Sequence, residues 1–290
     1  MKIQIYKRNI NIFANKKLVP GFTITELMVA IGLLAAVLSA SMVVFNYSIE
    51  AQRTAMATAD IMRTLRSITD QLNYDFAGIM DSNQAPIIME FNGLNDNNDP
   101  NADSIVFFAT GDFQDANGIV RGNVARIYYG QSKSPDPNAA DQKDRRIKIL
   151  ARKQVILAPN QTASTNEYEP NSLSQQINKY LVDDPNEWID EWIDRPDVNS
   201  TNISSIPMYF AKGVDDFSIS FCNKSDIDLP SGAIIWPPRT DGEKGYFGFE
   251  GLYANFKPYP DLIKFTFTLY DSKGILKTGR RFEHIIYIGN

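Results

Sequence analysis

Three sets of residues in this 290-residue chain have the types and spacing for chemistry. The first is Glu26, which stands just before Leu27 to Phe45, a run of 19 residues with no charge. A membrane-spanning helix needs about 20 apolar residues. An ionised carboxylate in such a segment costs roughly 2.5–3.5 kcal/mol on insertion scales, so it calls for an opposite charge. No basic residue lies between Phe22 and Arg53. The second set is a ladder of oxygen side chains, Asn95, Asn97, Asp99, Asn101 and Asp103. Oxygens at every second position suit a hard cation such as calcium. Here the charge is low and the glycine of the sharp turn is missing, so a solvated Asx-rich turn is expected, with calcium as the alternative. The third set is the single Cys222 and the single His284, each in a strand-like stretch. A buried thiol beside a strand is the expectation for Cys222, and the two offer poor material for a nucleophile and its base. Walker loops, zinc spacings and dinucleotide fingerprints do not occur. The chain is expected to have no enzymatic activity, no cofactor and no disulfide.

The elements that must position these residues begin with a basic leader. Lys2, Lys7, Arg8, Lys16 and Lys17 precede Glu26, and no acid does. That bias holds the leader on the cytoplasmic side of a membrane. Beyond Phe45 the chain turns polar at Glu50, Arg53, Asp60 and Arg63. Ile61, Leu65, Ile68, Leu72, Phe76 and Ile79 then recur every three or four residues, which is one apolar face of an α-helix. The spacing predicts one helix from Phe22 to about Ile79, apolar all round in its first half and striped in its second, with Gly78 as its terminator.

Pro20-Gly21-Phe22-Thr23-Ile24-Thr25-Glu26-Leu27 resembles the processing site of type IV prepilins and type II secretion pseudopilins. The resemblance implies that a prepilin peptidase cuts between Gly21 and Phe22 and N-methylates Phe22. It implies that Glu26 then neutralises the new N-terminal amine of a neighbouring subunit during assembly. Ile24 and Thr25 stand where the family usually has Leu and Ile. The helix-breaking proline of major pilins is absent, since no proline lies between Pro20 and Pro86. Leu65 with Leu72-Asn73-Tyr74-Asp75, Gly213-Val214-Asp215-Asp216-Phe217 and Arg280-Arg281-Phe282 look like features of the larger minor members, pseudopilin J and PilW-like minor pilins. The fold class expected is α+β and pilin-like, a long N-terminal helix (transmembrane, then amphipathic) packed on an antiparallel β-sheet domain. Residues 1–21 would be the leader, 22–79 the stem helix, and 80–290 a periplasmic head with a loop/helix insert at about 158–205. The implied role is a minor pilin or pseudopilin that helps assemble or prime a type IV pilus or type II secretion pseudopilus. Implied partners are the prepilin peptidase, other major and minor pilins or pseudopilins, and the inner-membrane assembly platform. The location implied is the bacterial inner membrane, single-pass, with the C-terminal domain in the periplasm. The alternative is a membrane-tethered binding module on the same stem, an adhesin or DNA-uptake tip protein.

The leader holds five of the 29 basic residues and none of the 34 acids, which leaves the rest of the chain at −10. Nucleic acid is therefore not an expected partner. Arg145, Arg146, Lys148, Arg152 and Lys153 alternate with apolar residues and read as a solvated strand face. Strands are expected at 104–108, 125–129, 147–157 and 207–222, the last bent at Gly213. Residues 130–145, 158–182 and 223–260 read as loops. Asp184-Pro185-Asn186-Glu187 opens a short helix with Trp188 and Trp192 on one face. Core packing is expected for these tryptophans and a partner-facing patch is the alternative. The end of the chain reads as a hairpin. Phe265, Phe267 and Leu269 alternate with polar residues, Asp271 to Gly274 turns, and Phe282, His284, Ile286 and Ile288 share a face.

Overall fold

The computed structural model describes residues 21–81, 85–91, 103–132, 145–162, 165, 167–175, 192–193, 195–196, 198, 207–228, 233–237, 244–248 and 257–288. Two compact units divide the chain, Met1–Gln52 and Arg53–Asn290. One helix, α1, runs Ile24–Ala77 and contributes to both. In the first unit residues 21–48 are all exposed. This stretch is long and apolar enough to cross a membrane. Ser39 and Ser41 hide their hydroxyls inside the helix: Ser39 donates to the Ala35 carbonyl and Ser41 to that of Val37, both at 2.8 Å. In lipid that matters, because a polar group there must find its partner within the protein.

The second unit is α+β. The C-terminal half of α1 buries Ala57, Ile61, Ile68, Leu72 and Phe76, with Leu65 partly covered, so the apolar stripe is the face that packs. Helical bonding ends at Ala77, and Gly78 follows because the next strand crosses there. A Cβ on Gly78 would lie 2.2 Å from the Thr110 carbonyl oxygen, and Thr110 N–H donates to Gly78 at 2.7 Å. Ile79 leaves the helix and bridges to Ala109.

A seven-stranded sheet follows. Its strands are β1 (Ile87–Glu90), β2 (Ser104–Gln114), β3 (Arg121–Gln131), β4 (Ile149–Leu157), β5 (Tyr168–Glu169), β6 (Tyr209–Lys212) and β10 (Lys244–Phe247). The order is β10-β1-β2-β3-β4-β5, with β6 also paired to β4, and only β4–β5 is parallel. A second sheet has the order β12-β11-β7, from β7 (Val214–Cys222), β11 (Leu262–Leu269) and β12 (Arg280–Tyr287). A small antiparallel pair, β8 (Ile227–Asp228) and β9 (Ala233–Ile234), lies between them in sequence. Gly213 (φ 76°) passes the chain from the first sheet to the second. A Cβ there would meet the Tyr270 carbonyl oxygen at 2.7 Å.

One core joins the α1 stripe to the inner faces of both sheets through Phe107, Ile127, Leu150, Phe217, Phe265 and Phe267. Phe76 sits at its centre, 4.2 Å from Phe107 and 5.6 Å from Phe265 between ring centroids. Alternate residues of the large sheet (Ile88, Val106, Phe108, Tyr128, Ala151) face outward beneath Trp192, Ile193, Val198 and Met208. The expected strands and the closing hairpin form, except that Arg145–Ile147 make a 3-10 turn and β4 begins only at Ile149. The stretches 158–182 and 223–260 are corrections to the loop reading, since β5 lies within the first and β8, β9 and β10 within the second. β10 is four residues long, contains Gly245 and becomes a strand by pairing with β1. Strand 104–108 is also longer than expected. It continues through Gly111 and Asp112 to Gln114 by way of an irregularity between Thr110 and Phe113.

Candidate functional site

Gly21 and Phe22 form a short extended segment ahead of α1, and Phe22 is 78 % exposed. Among the described residues nothing lies within 4 Å of where a Gly21 side chain would begin. Thr23 and Glu26 close the helix start reciprocally. Thr23 N–H and the Thr23 hydroxyl each donate to Glu26 Oε2 at 2.9 Å, and Glu26 N–H donates to Thr23 Oγ1 at 3.3 Å. This is a capping box, in which the N-cap and third residue satisfy each other's orphan backbone donors. The Thr-x-x-Glu pattern was readable at 23–26, and attention to Glu26 as an isolated charge passes over it. Both side-chain bonds use Oε2, so the cap makes no call on Oε1. The leader 1–20 lies outside the described residues.

Cys222 and His284 do not meet. Cys222 ends β7 and pairs with Leu262 of β11, whereas His284 pairs with Phe265 on the other side of that strand. Their side chains also fall on opposite faces of the sheet, because His284 shares the register position of core-facing Phe265 and Cys222 that of Leu262. Cys222 is fully buried and its thiol lies 3.3 Å from the Asn223 carbonyl oxygen. Burial first, then Asp226 and Asp261, push the thiol above its ordinary value. A thiol so held is a poor nucleophile. His284 reaches α1 instead, with Nε2 2.9 Å from Asn73 Oδ1, and burial lowers its pKa.

Asn95, Asn97, Asp99 and Asn101 lie outside the described residues. Asp103, the last member of the ladder, is fully buried. Its Oδ2 accepts the Ile219 N–H at 2.7 Å and its own N–H donates to the Phe217 carbonyl at 2.9 Å. Asp103 thus stitches the start of β2 to β7. Among the described residues no three His, Cys, Asp or Glu side chains gather as a metal site would require.

The basic run at 145–153 is corrected from a solvated face. On β4, Arg152 lies on the same face as Leu150 and Ile156 and points at α1. Arg152 Nε and Nη2 donate to Asp75 Oδ2 and Oδ1 at 2.7 and 2.8 Å. Gln71 Nε2 donates to Oδ1 at 3.0 Å, and Tyr129 OH makes a short bond to Oδ2. The Asp75 side chain is 0 % exposed and that of Arg152 17 %. Burial opposes the Arg152 charge, but the hydrogen bonds to Asp75 and the charge of its carboxylate outweigh it, so the guanidinium is held above its ordinary value. Burial and the Asp75 charge push the Tyr129 phenol well up. Lys148 likewise pairs with buried Asp215 at 2.6 Å.

Trp192 is core: it is 6 % exposed, stands edge-on to Phe108 at 5.5 Å and lies 4.9 Å below the Arg126 guanidinium. Trp188 and the helix expected from Asp184 lie outside the described residues. Comparison with protein-family models, with curated proteins and with solved structures finds no match in any of the three.

Proposed function

We propose that the chain is a minor pilin or pseudopilin, a structural subunit that assembles or primes a type IV pilus or type II secretion pseudopilus. In this reading the prepilin peptidase cuts after Gly21 and N-methylates Phe22. The chain is then held in the bacterial inner membrane by the first half of α1, with its sheets in the periplasm, before it joins other pilins or pseudopilins by helix packing. It is a substrate of chemistry and carries out none itself.

The observation that carries the reading is the position of the cut relative to the helix. α1 starts at Ile24 and its cap is made by Thr23 and Glu26. Cleavage between Gly21 and Phe22 therefore removes the whole basic leader and spares every residue that closes the helix. An ordinary secretory signal would be cut on the far side of the apolar run. A second support is the two-part helix, uncharged and exposed all round over 27–45 and striped from Ile61 onward. The burial of Trp192 against Phe108 weighs against an aromatic recognition patch at that residue.

The test is expression with and without the cognate prepilin peptidase. Without it the band should be heavier by Met1–Gly21, and with it the N-terminal residue should be N-methyl-Phe22. The same band in both strains would overturn the proposal.

A further inference from the structure

The outer face of the β12-β11-β7 sheet carries a cavity of about 420 Å³, within the usual range of small-molecule sites. An outer sheet face is ordinarily solvated and polar; this one is concave and has a graded chemistry along its length. The strand register arranges it in rows. Lys264 lies between Ser220 and Ile285, Thr266 between Ser218 and Glu283, and Thr268 between Asp215 and Arg281. Small hydroxyl side chains form the floor, and Thr266 and Thr268 are 5 % and 9 % exposed although they face away from the core. Lys264 stands at one end with its ammonium 4.4 Å from the Trp236 ring. Arg281 stands at the other, four residues further along, which is about 13 Å of strand.

Asp216 gives the cavity its shape. The β7–β11 register shifts between Thr266 and Thr268, so that Asp216 and Phe217 together oppose one residue of β11. Asp216 takes φ 52° there, and among the described residues it is the one non-glycine with positive φ. The left-handed conformation is disfavoured for residues with a Cβ and is visited by Asp and Asn chiefly as single residues, and such bulges often serve to re-aim a side chain. Here the bulge turns a carboxylate into the cavity, where Thr268 donates to Oδ2 at 3.4 Å.

The geometry points to a binding site for a carboxylate-bearing saccharide. Among the described residues the lining is polar throughout, so an occupant must hydrogen-bond along its whole length. Apolar groups laid on a floor of hydroxyls would strand polar atoms. Lys264 and Arg281 give an anionic ligand a cation at each end, with Arg281 offering the fork that grips a carboxylate, while Asp216 and Glu283, which stands beside Thr266, supply acceptors between them. Asp216 accepts from sugar hydroxyls, and the floor hydroxyls both donate and accept. A densely charged polyphosphate fits less well, because the carboxylates of Asp216 and Glu283 stand between the two cations and repel a ligand charged along its whole length. The inference stands apart from the membrane and filament reading.

The test uses the full chain in detergent and titration calorimetry with four probes. These are an oligogalacturonate, a neutral maltooligosaccharide of equal length, polyglutamate and a single-stranded oligonucleotide. The oligogalacturonate should bind at least tenfold more tightly than the other three and weaken with added salt. Arg281→Ala should weaken the acidic sugar tenfold or more and the neutral one little. Asp216→Gly should weaken both, while its melting temperature holds, since glycine adopts positive φ without the Cβ penalty. Three results would overturn the proposal: no oligogalacturonate binding at millimolar concentration, unchanged binding in both variants, or equal binding of the neutral maltooligosaccharide, polyglutamate or the oligonucleotide.

Discussion

Replacing Asp75 by asparagine should be among the most damaging conservative changes available to this chain. The Asp75 carboxylate accepts from four donors on three elements: Gln71 on its own helix, Tyr129 on β3, and two nitrogens of Arg152 on β4. An amide keeps the shape, yet turns one acceptor into a donor that faces donors. It also leaves the Arg152 guanidinium, 17 % exposed, without its counter-charge. Removing one partner of a buried pair costs about 3–5 kcal/mol, because the remaining charge stays buried and uncompensated. At about 2–4 °C per kcal/mol for a domain of 150–250 residues, the melting temperature should fall by about 6–20 °C.

The control separates a misplaced charge from a lost contact. Asp75→Leu with Arg152→Met and Tyr129→Phe removes the carboxylate, the guanidinium and the phenol at once, and such apolar replacements are often neutral or stabilising. Urea titrations of the full chain in detergent, followed by tryptophan fluorescence, measure both variants. The triple variant should be clearly more stable than Asp75→Asn. A loss below about 1 kcal/mol for Asp75→Asn, or a triple variant less stable than the single one, would refute the idea that uncompensated burial sets the cost.

His284 should make stability pH-dependent. Its folded pKa lies below the ordinary histidine value because burial disfavours the charged ring; its contribution is full above about 6.5 and is lost as pH falls through that value toward the lowered folded pKa. Melting curves at pH 7.5 and 5.5 should show that His284→Gln flattens this dependence. Cys222 should resist a thiol reagent in the folded chain and react on unfolding, since its thiolate is disfavoured by burial and by Asp226 and Asp261; fast labelling under native conditions would contradict the packing. Glu26→Gln should keep an acceptor for the Thr23 N–H and lose the charge, whereas Glu26→Ala loses both. If the charge drives assembly, both variants should be processed and membrane-bound but scarce in sheared filaments, and normal incorporation of the Gln variant would leave Glu26 a capping role only.

What the sequence disclosed follows the distance over which each feature is decided. The α1 stripe repeats within a turn, the closing hairpin within about 25 residues, and the Gly213 bend at a single dihedral; all three were legible. The Thr23–Glu26 cap spans three residues and was available in the same way. Asp75 is different. Its partners stand 54 and 77 residues away, and its neighbours Asn73 and Tyr74 give no hint of burial. Arg152 sits in a run of cations whose composition argues for solvent, and only the pairing of β3 with β4 turns it inward. The same applies to Asp103, which resembles a metal ligand by spacing but is committed to the Ile219 N–H, 116 residues away. β10 is strand only because β1 offers it an edge.

The buried carboxylate also answers a question that the apolar stripe leaves open. Ile61, Leu65, Ile68, Leu72 and Phe76 repeat every three or four residues, so sliding α1 by one turn, about 5.4 Å, would set apolar side chains against the same sheets at modest cost. The stripe gives adhesion with little preference for register. Asp75 breaks that degeneracy. A one-turn slip would carry it away from Arg152 and Tyr129 at once and leave charges of both signs buried and unpaired, a cost of several kcal/mol. In the second unit hydrophobic burial therefore holds the helix to the sheets, and the Asp75–Arg152–Tyr129 cluster fixes where along its axis it is held. The triple apolar variant puts this to a sharper test than stability alone. It should fold as tightly as the wild-type chain while losing a unique register, visible as doubled or broadened amide resonances for Phe76, Phe107 and Phe265, and a single sharp set would show that the stripe specifies register unaided.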